Sequence, residues 1–140
     1  MILASAYLCM ALNLYFESRG EPDLGKELVA QTTLNRAKHD NTQVCNAVLA
    51  PKQFSWTTIK VQGNRLKAED EPIEKAAWDD SLRISKLALR GGIKLDGNWK
   101  KVTNFHNTQY SPGWSHKPNM VKLGRVGNHI FYYDKSISQR

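Results

Sequence analysis

LASAYLCMALNLYFESRGEP, residues 3–22, is the stretch on which the rest of the chain turns. Leu8, Ala11, Leu12, Tyr15 and Phe16 recur at the i, i+3, i+4, i+7, i+8 spacing of one helical face. Ala6, Met10 and Leu14 make the opposite side apolar as well. The spacing predicts a helix from Leu3 to Arg19, closed by Gly20 as a C-cap with Pro22 as a stop beyond it. A helix that is apolar all round has to be enclosed by other elements. The run is too short for a span of ~20 apolar residues, and Ser5 and Asn13 interrupt it. No Lys or Arg precedes Arg19, so the basic start of a secretory signal is absent and neither signal peptide nor transmembrane segment is expected.

The enclosing elements are read outward from there. A second helix is expected from Asp23 to Asp40-Asn41, carrying Leu24, Leu28 and Leu34. A third, capped by Thr42, packs Val44 and Val48 and stops before Pro51. Gln53 to Thr57 reads as a loop or short strand, and Ile59 to Asp70 as loop. A fourth helix is expected to begin with Pro72 in its first turn and to end at Gly91-Gly92. Its buried stripe is Ile73, Ala77, Trp78, Leu82, Ile84, Leu87 and Ala88, which makes Trp78 a core residue. Val102 to Asn107 is a candidate strand, and Thr108 to Asn119 an ordered loop. Val121–Val126 and His129–Tyr133 flank Gly127-Asn128, a hairpin turn. Helices first and a small antiparallel sheet last is an α+β fold, expected as one domain over residues 1–140. The chain is 41% hydrophobic and 24% charged, the pattern of a globular protein with a real core. Its net charge is +7, of which residues 71–140 carry +6, favouring an anionic partner.

Glu17 is the only charge in the first 18 residues. At 100° per residue it shares a face with Ala6 and Met10. Desolvation and the negative end of the helix dipole both act against its ionised form, which suits a general acid near neutral pH. The competing reading is a surface carboxylate in an ion pair, with Arg19 folding back to it. No Lys or Arg three or four residues upstream supplies that partner. Gln53, Ser55, Trp56, His106, Asn107, Tyr110 and Trp114 combine flat rings with amide and hydroxyl groups, a set suited to sugars bearing acetamido groups. The competing reading is a core Trp and a turn-forming Pro112-Gly113. His106, His116 and His129 lie ten and thirteen apart, which is not a zinc spacing, so no metal and no cofactor are expected.

Taken together, several blocks resemble the cell wall hydrolase family typified by spore cortex-lytic enzymes. They are Ala11 to Pro22, Val29-Ala30-Gln31, Leu34-Asn35-Arg36, Thr42 to Cys45 and Gln53 to Thr57. Ala76-Ala77-Trp78, His106 with Pro112 and Trp114, and the closing hairpin Leu123 to Tyr132 complete the set. The resemblance implies a lysozyme-like fold and cleavage of peptidoglycan glycan strands, with Glu17 as the catalytic acid. Lytic transglycosylases of the family cut the β-1,4 bond after N-acetylmuramic acid and leave a 1,6-anhydro ring. One carboxyl suffices there, so a second at the glycosidase spacing of about 5–9 Å is not required, although Glu21 and Asp23 remain open for that role. Lys101-Val102-Thr103-Asn104 departs from the glycine-alanine lead common in relatives. Relatives often have cysteines at the positions of Cys9 and Cys45, which implies an approach of the two, thiols in a reducing cytoplasm and a bridge once oxidised.

A catalytic domain with no export signal looks like a phage endolysin, held in the host cytoplasm until holin-dependent release to the periplasm. Its expected partner is bacterial peptidoglycan, met as a monomer, with transient contact to the anionic outer-membrane surface and no nucleic acid. Three alternatives stay open. A hydrolytic muramidase would share Glu17. A basic nucleic-acid-binding module would need a Lys/Arg stripe, whereas the basic residues are scattered among acidic ones. A non-catalytic wall-binding module would be indifferent to Glu17.

Overall fold

The computed structural model describes residues 1–137. α1 (Ala6–Ser18) is capped by the Ser5 hydroxyl, which accepts from the Leu8 amide at 3.1 Å. Cys9, Met10, Ala11 and Leu12 in it are fully buried. α2 (Asp23–Arg36), α3 (Val44–Leu49) and α5 (Lys75–Leu89) enclose it, the arrangement demanded by a helix without a polar face. A disulfide joins Cys9 in α1 to Cys45 in α3. No helix among the described residues is long and apolar enough to cross a membrane.

Local chemistry moves several boundaries. α2 ends at Arg36 rather than at Asp40-Asn41, because Lys38 (φ 54) and His39 (φ 60) turn left-handed and break the helical path. Asp40 caps the short 3-10 turn Asn41–Gln43 that leads into α3, its carboxylate accepting from the Thr42 amide at 3.0 Å; Thr42 is capped, not capping. α5 starts at Lys75, so Pro72 precedes the helix instead of opening it. Ile73, expected in the buried stripe, is 89% exposed, and Leu24 is 45% exposed at the start of α2. Trp78 packs against the core from its margin, edge-on to Tyr15 at 6.0 Å, and is half-buried rather than enclosed.

Residues 53–57 differ most from expectation. Ser55–Lys60 forms a helix, α4, pinned by the buried Trp56, whose indole Nε1 donates to Asn13 Oδ1 at 2.9 Å. This long-range anchor decides a conformation that the short polar sequence leaves open. Within the expected loop 59–70, β1 (Val61–Gln62) and β2 (Arg65–Leu66) pair around Gly63. The chain start extends that hairpin, with the Leu66 amide donating to the Met1 carbonyl at 2.8 Å.

β3 (Asn104–Asn107), β4 (Met120–Val126) and β5 (His129–Asp134) make the antiparallel sheet, in the order β3-β5-β4. Helices followed by this sheet make the fold α+β. The register sets Asn107 opposite His129 and Phe105 opposite Phe131, which is fully buried against the helices. Two side chains at the end of α2 fix where β3 runs. Asn35 Nδ2 donates to the Val102 carbonyl at 2.7 Å, and Arg36 Nε to the Thr103 carbonyl at 2.6 Å.

Candidate active site

The last turn of α1, α2, the segment before α4 and the β3 edge of the sheet surround a cleft of about 690 Å³. Glu17 lines it beside Phe16, with Thr32 and Arg36 contributed by α2. Glu17 has no hydrogen bond or ion pair with any described residue. Burial pushes its carboxyl up from 4.5 to about 7. Arg19 does not relieve this, because its guanidinium turns away: Nη1 donates to the Tyr15 hydroxyl at 2.6 Å and lies 3.3 Å from Glu74. An acid with that pKa is half-protonated near neutral pH and can still give up its proton.

Six of the seven residues expected to hold substrate line the same cleft: Gln53, Ser55, His106, Asn107, Tyr110 and Trp114. Trp56 does not. It is 5% exposed and packs behind Phe16, ring centroids 4.9 Å apart, so it supports the cleft wall instead of facing the cleft. The buried partner Asn13, one turn before Glu17 on α1, draws the indole inward.

His106 is held at both ring nitrogens. Nδ1 lies 2.7 Å from the Asn107 carbonyl and Nε2 2.9 Å from the Tyr132 hydroxyl. A carbonyl only accepts, so Nδ1 carries a proton. The fixed ring stacks on Tyr132 and meets Trp114 edge-on at 5.7 Å and Tyr110 at 5.8 Å. His106 thereby orders two exposed or half-exposed rings at the cleft mouth. Asn107 and Gln53 add amide groups at the rim, and the Asn107 carboxamide oxygen accepts from the Gln109 amide at 2.8 Å.

Neither of the two further carboxylates considered for catalysis lines the cleft. Glu21 is bound to the β4–β5 turn, accepting from the Asn128 amide at 2.7 Å and from its side-chain Nδ2 at 3.1 Å. Asp23 stands at the start of α2 near Lys26 and Arg83. Among the described residues that line the cleft, Glu17 is the one carboxyl. Arg36, Asn104, Phe105 and His129 belong to the lining without having been singled out from sequence. Arg36 is the one with a local signal, as the basic residue that closes α2. His129 stands in the sequence only as a histidine without zinc spacing and as part of the closing hairpin. Its ring reaches the cleft because β5 pairs with β3, a register that no local pattern reveals.

No curated protein and no solved structure matches the chain significantly. A family model does, over residues 20–132, a span that covers most of the chain and holds every lining residue except Phe16 and Glu17. With the α+β fold and the cleft placed within that span, this chain belongs to the Cell Wall Hydrolase family.

Proposed function

We propose that this peptidoglycan-acting hydrolase cuts the β-1,4 bond between N-acetylmuramic acid and N-acetylglucosamine as a lytic transglycosylase, with Glu17 as its acid and base. The observation that carries the reading is the lone, buried, unpaired carboxyl in a cleft edged by amides and aromatic rings. Glycosidases that add water through two carboxyls need the second at about 5–9.5 Å. Here neither carboxyl considered for that role lines the cleft: Glu21 is engaged by Asn128, and Asp23 pairs with Lys26 and Arg83.

One group then serves twice. Protonated Glu17 gives its proton to the bridging O4 as the C1–O4 bond breaks. Positive charge develops at C1 and the ring oxygen. The C6 hydroxyl of the same muramyl ring attacks C1, and its proton passes to the Glu17 carboxylate. A 1,6-anhydro bond forms, Glu17 is protonated again, and no water is consumed. Gln53, Ser55 and Asn107 would hold the acetamido and hydroxyl groups, and Tyr110 and Trp114 the sugar faces. In this reading residues 1–140 act as one catalytic domain of lysozyme-like type, as a monomer without nucleic acid. An endolysin role with holin-dependent release is the biological setting, and lysis on co-expression with a holin tests it.

Mass spectrometry of digested peptidoglycan tests the chemistry. Anhydromuramyl ends, one water lighter than hydrolysis products and lost in Glu17→Gln, are the expected result. Reducing muramic acid ends would assign a muramidase using the same Glu17. Freed stem peptides on intact glycan would overturn glycan cleavage altogether.

A further inference from the structure

The Glu17 cleft shares a wall with a second hollow of about 570 Å³: Arg36 and Gln53 line both. Beyond them the second hollow is formed by Lys38, Ala47, Ala50 and Ser136. Arg36 at the junction is half-buried and held in place. Its Nε donates to the Thr103 carbonyl, and turning the Asn104 amide oxygen toward it adds a bond from Nη2 at 2.9 Å. Nη1 is left free by both contacts. No carboxylate among the described residues lies within ion-pair distance of this guanidinium. Asp134 acts on it only from farther off, and its Oδ1 accepts from Asn119 and Ser136.

A guanidinium fixed by neutral acceptors, partly desolvated and without a counter-ion is prepared for a ligand carboxylate, which it can meet with its fork. The surroundings share that sign. Lys52 on the cleft and Lys38 on the second hollow are exposed, and both sit on left-handed backbone, φ 65 and φ 54. Neither lining contains an acid apart from Glu17.

We infer that the second hollow seats the peptide stem of the muramyl residue whose sugar occupies the Glu17 cleft, with Arg36 holding a stem carboxylate and Lys38 and Lys52 flanking it. The inference rests on the glycan-cleavage reading and deepens it to a substrate class: stem-bearing rather than naked strands. The stem branches from the muramyl ring by its lactyl ether, next to the bond that breaks. It therefore has to leave the cleft through a neighbouring channel. It is anionic and alanine-containing, and Ala47 and Ala50 leave room for methyl groups beside the cationic junction. A phosphate-bearing wall polymer shares the charge but lacks this tether to the scissile bond.

The test compares intact peptidoglycan strands with strands whose stems have been removed by an amidase. Wild type should cut stem-bearing strands about tenfold faster, the effect of one charge-assisted contact. Arg36→Lys, which keeps the charge and loses the fork, should bring that ratio close to one. Lys38→Glu, at an exposed position where folding is not at stake, should lower it about threefold. Amidating the stem carboxylates should reproduce the Arg36→Lys ratio in wild type. In parallel, calorimetry on Glu17→Gln should show binding of muramyl tripeptide that is weakened at least tenfold for its amidated form. A wild-type ratio of one, or a ratio that Lys38→Glu and amidation both leave alone, overturns the stem site. Tighter binding of a phosphate polymer than of muramyl tripeptide would also overturn it. If neither strand is cut while the tripeptide still binds, the glycan-cleavage reading fails and the hollow stands.

Discussion

Glu17 and Glu21 lie four residues apart on either side of one helix end, yet the two regions treat a carboxylate in opposite ways. On the last turn of α1, Glu17 faces apolar packing from Phe16, has no protein partner, and is pushed up to about 7. One turn further, Glu21 accepts two bonds from Asn128 and locks the β4–β5 turn to the helical half. Gly127 fits beneath it because a Cβ there would strike the Glu21 carboxylate and come within 2.9 Å of the Pro22 ring, on a backbone with φ +58. A carboxylate without partners is poised to trade its proton, whereas a satisfied one holds structure. The partners separate two glutamates that lie only four residues apart.

The largest effect should come from Glu17→Gln. Activity should fall roughly 10²–10⁴-fold, the range of general acid–base catalysis. Stability should move the other way. The folded carboxyl titrates near 7 against 4.5. Its stabilising effect is therefore complete below 4.5 and lost as pH rises through 7, by about 3 kcal/mol in all. Glu17→Gln should thus outlast wild type in urea at pH 8 while being inactive. A variant less stable than wild type at that pH would break the contrast with Glu21.

Glu21→Ala should do the reverse. It leaves the Asn128 amide without its acceptor, and charge-assisted bonds of this kind contribute about 1.5–3 kcal/mol each. Urea unfolding should shift by about 2–3 kcal/mol, with kcat of the folded fraction within about threefold of wild type. Loss of turnover at unchanged stability would instead put Glu21 into the chemistry. A smaller effect sharpens the apolar side. Trp56→Phe strips Asn13 Oδ1 of its donor and should cost about 1–3 kcal/mol, with KM unaltered because the indole lies behind Phe16. A raised KM at full stability would return Trp56 to the sugar-binding surface.

The helical half and the hairpin were legible because their signals are local. An all-round apolar α1 and a Gly127-Asn128 turn between alternating strands each point to one structure. Glu17 stood out for the same reason, as a lone charge in an apolar run. α4 was not legible, since its helix depends on Trp56 reaching Asn13, 43 positions back. The cleft's far wall was hidden too. Arg36 and Asn35 bind carbonyls 67 positions away, and His129 enters through the β3–β5 register. Ile73 shows the opposite failure. Its side chain fitted the helical period, but the helix begins two residues later, so the period had nothing to act on.

His129 gives the finest test, because its pH response opposes that of Glu17 on the same cleft. The ring is 6% exposed, and its Nδ1 is buried without a hydrogen bond, 3.6 Å from Glu21 Oε1. Burial lowers its pKa most; Glu21 pulls it back up and His106 pushes it further down. A folded value below the ordinary 6.5 means that the folded state resists protonation. The stability this lends is present above 6.5 and drains away as pH falls toward the folded value. Between pH 4.5 and 6.5 the two groups therefore act against each other, Glu17 favouring lower pH and His129 higher. Wild type should show a slope between those of the two single variants. Glu17→Gln removes one arm, so its stability should rise with pH across that window. His129→Gln removes the other, so its stability should fall with pH from the same starting point. Urea midpoints at three or four pH values in each variant decide the matter. Slopes of the same sign in both would show that the two groups do not oppose each other across the cleft.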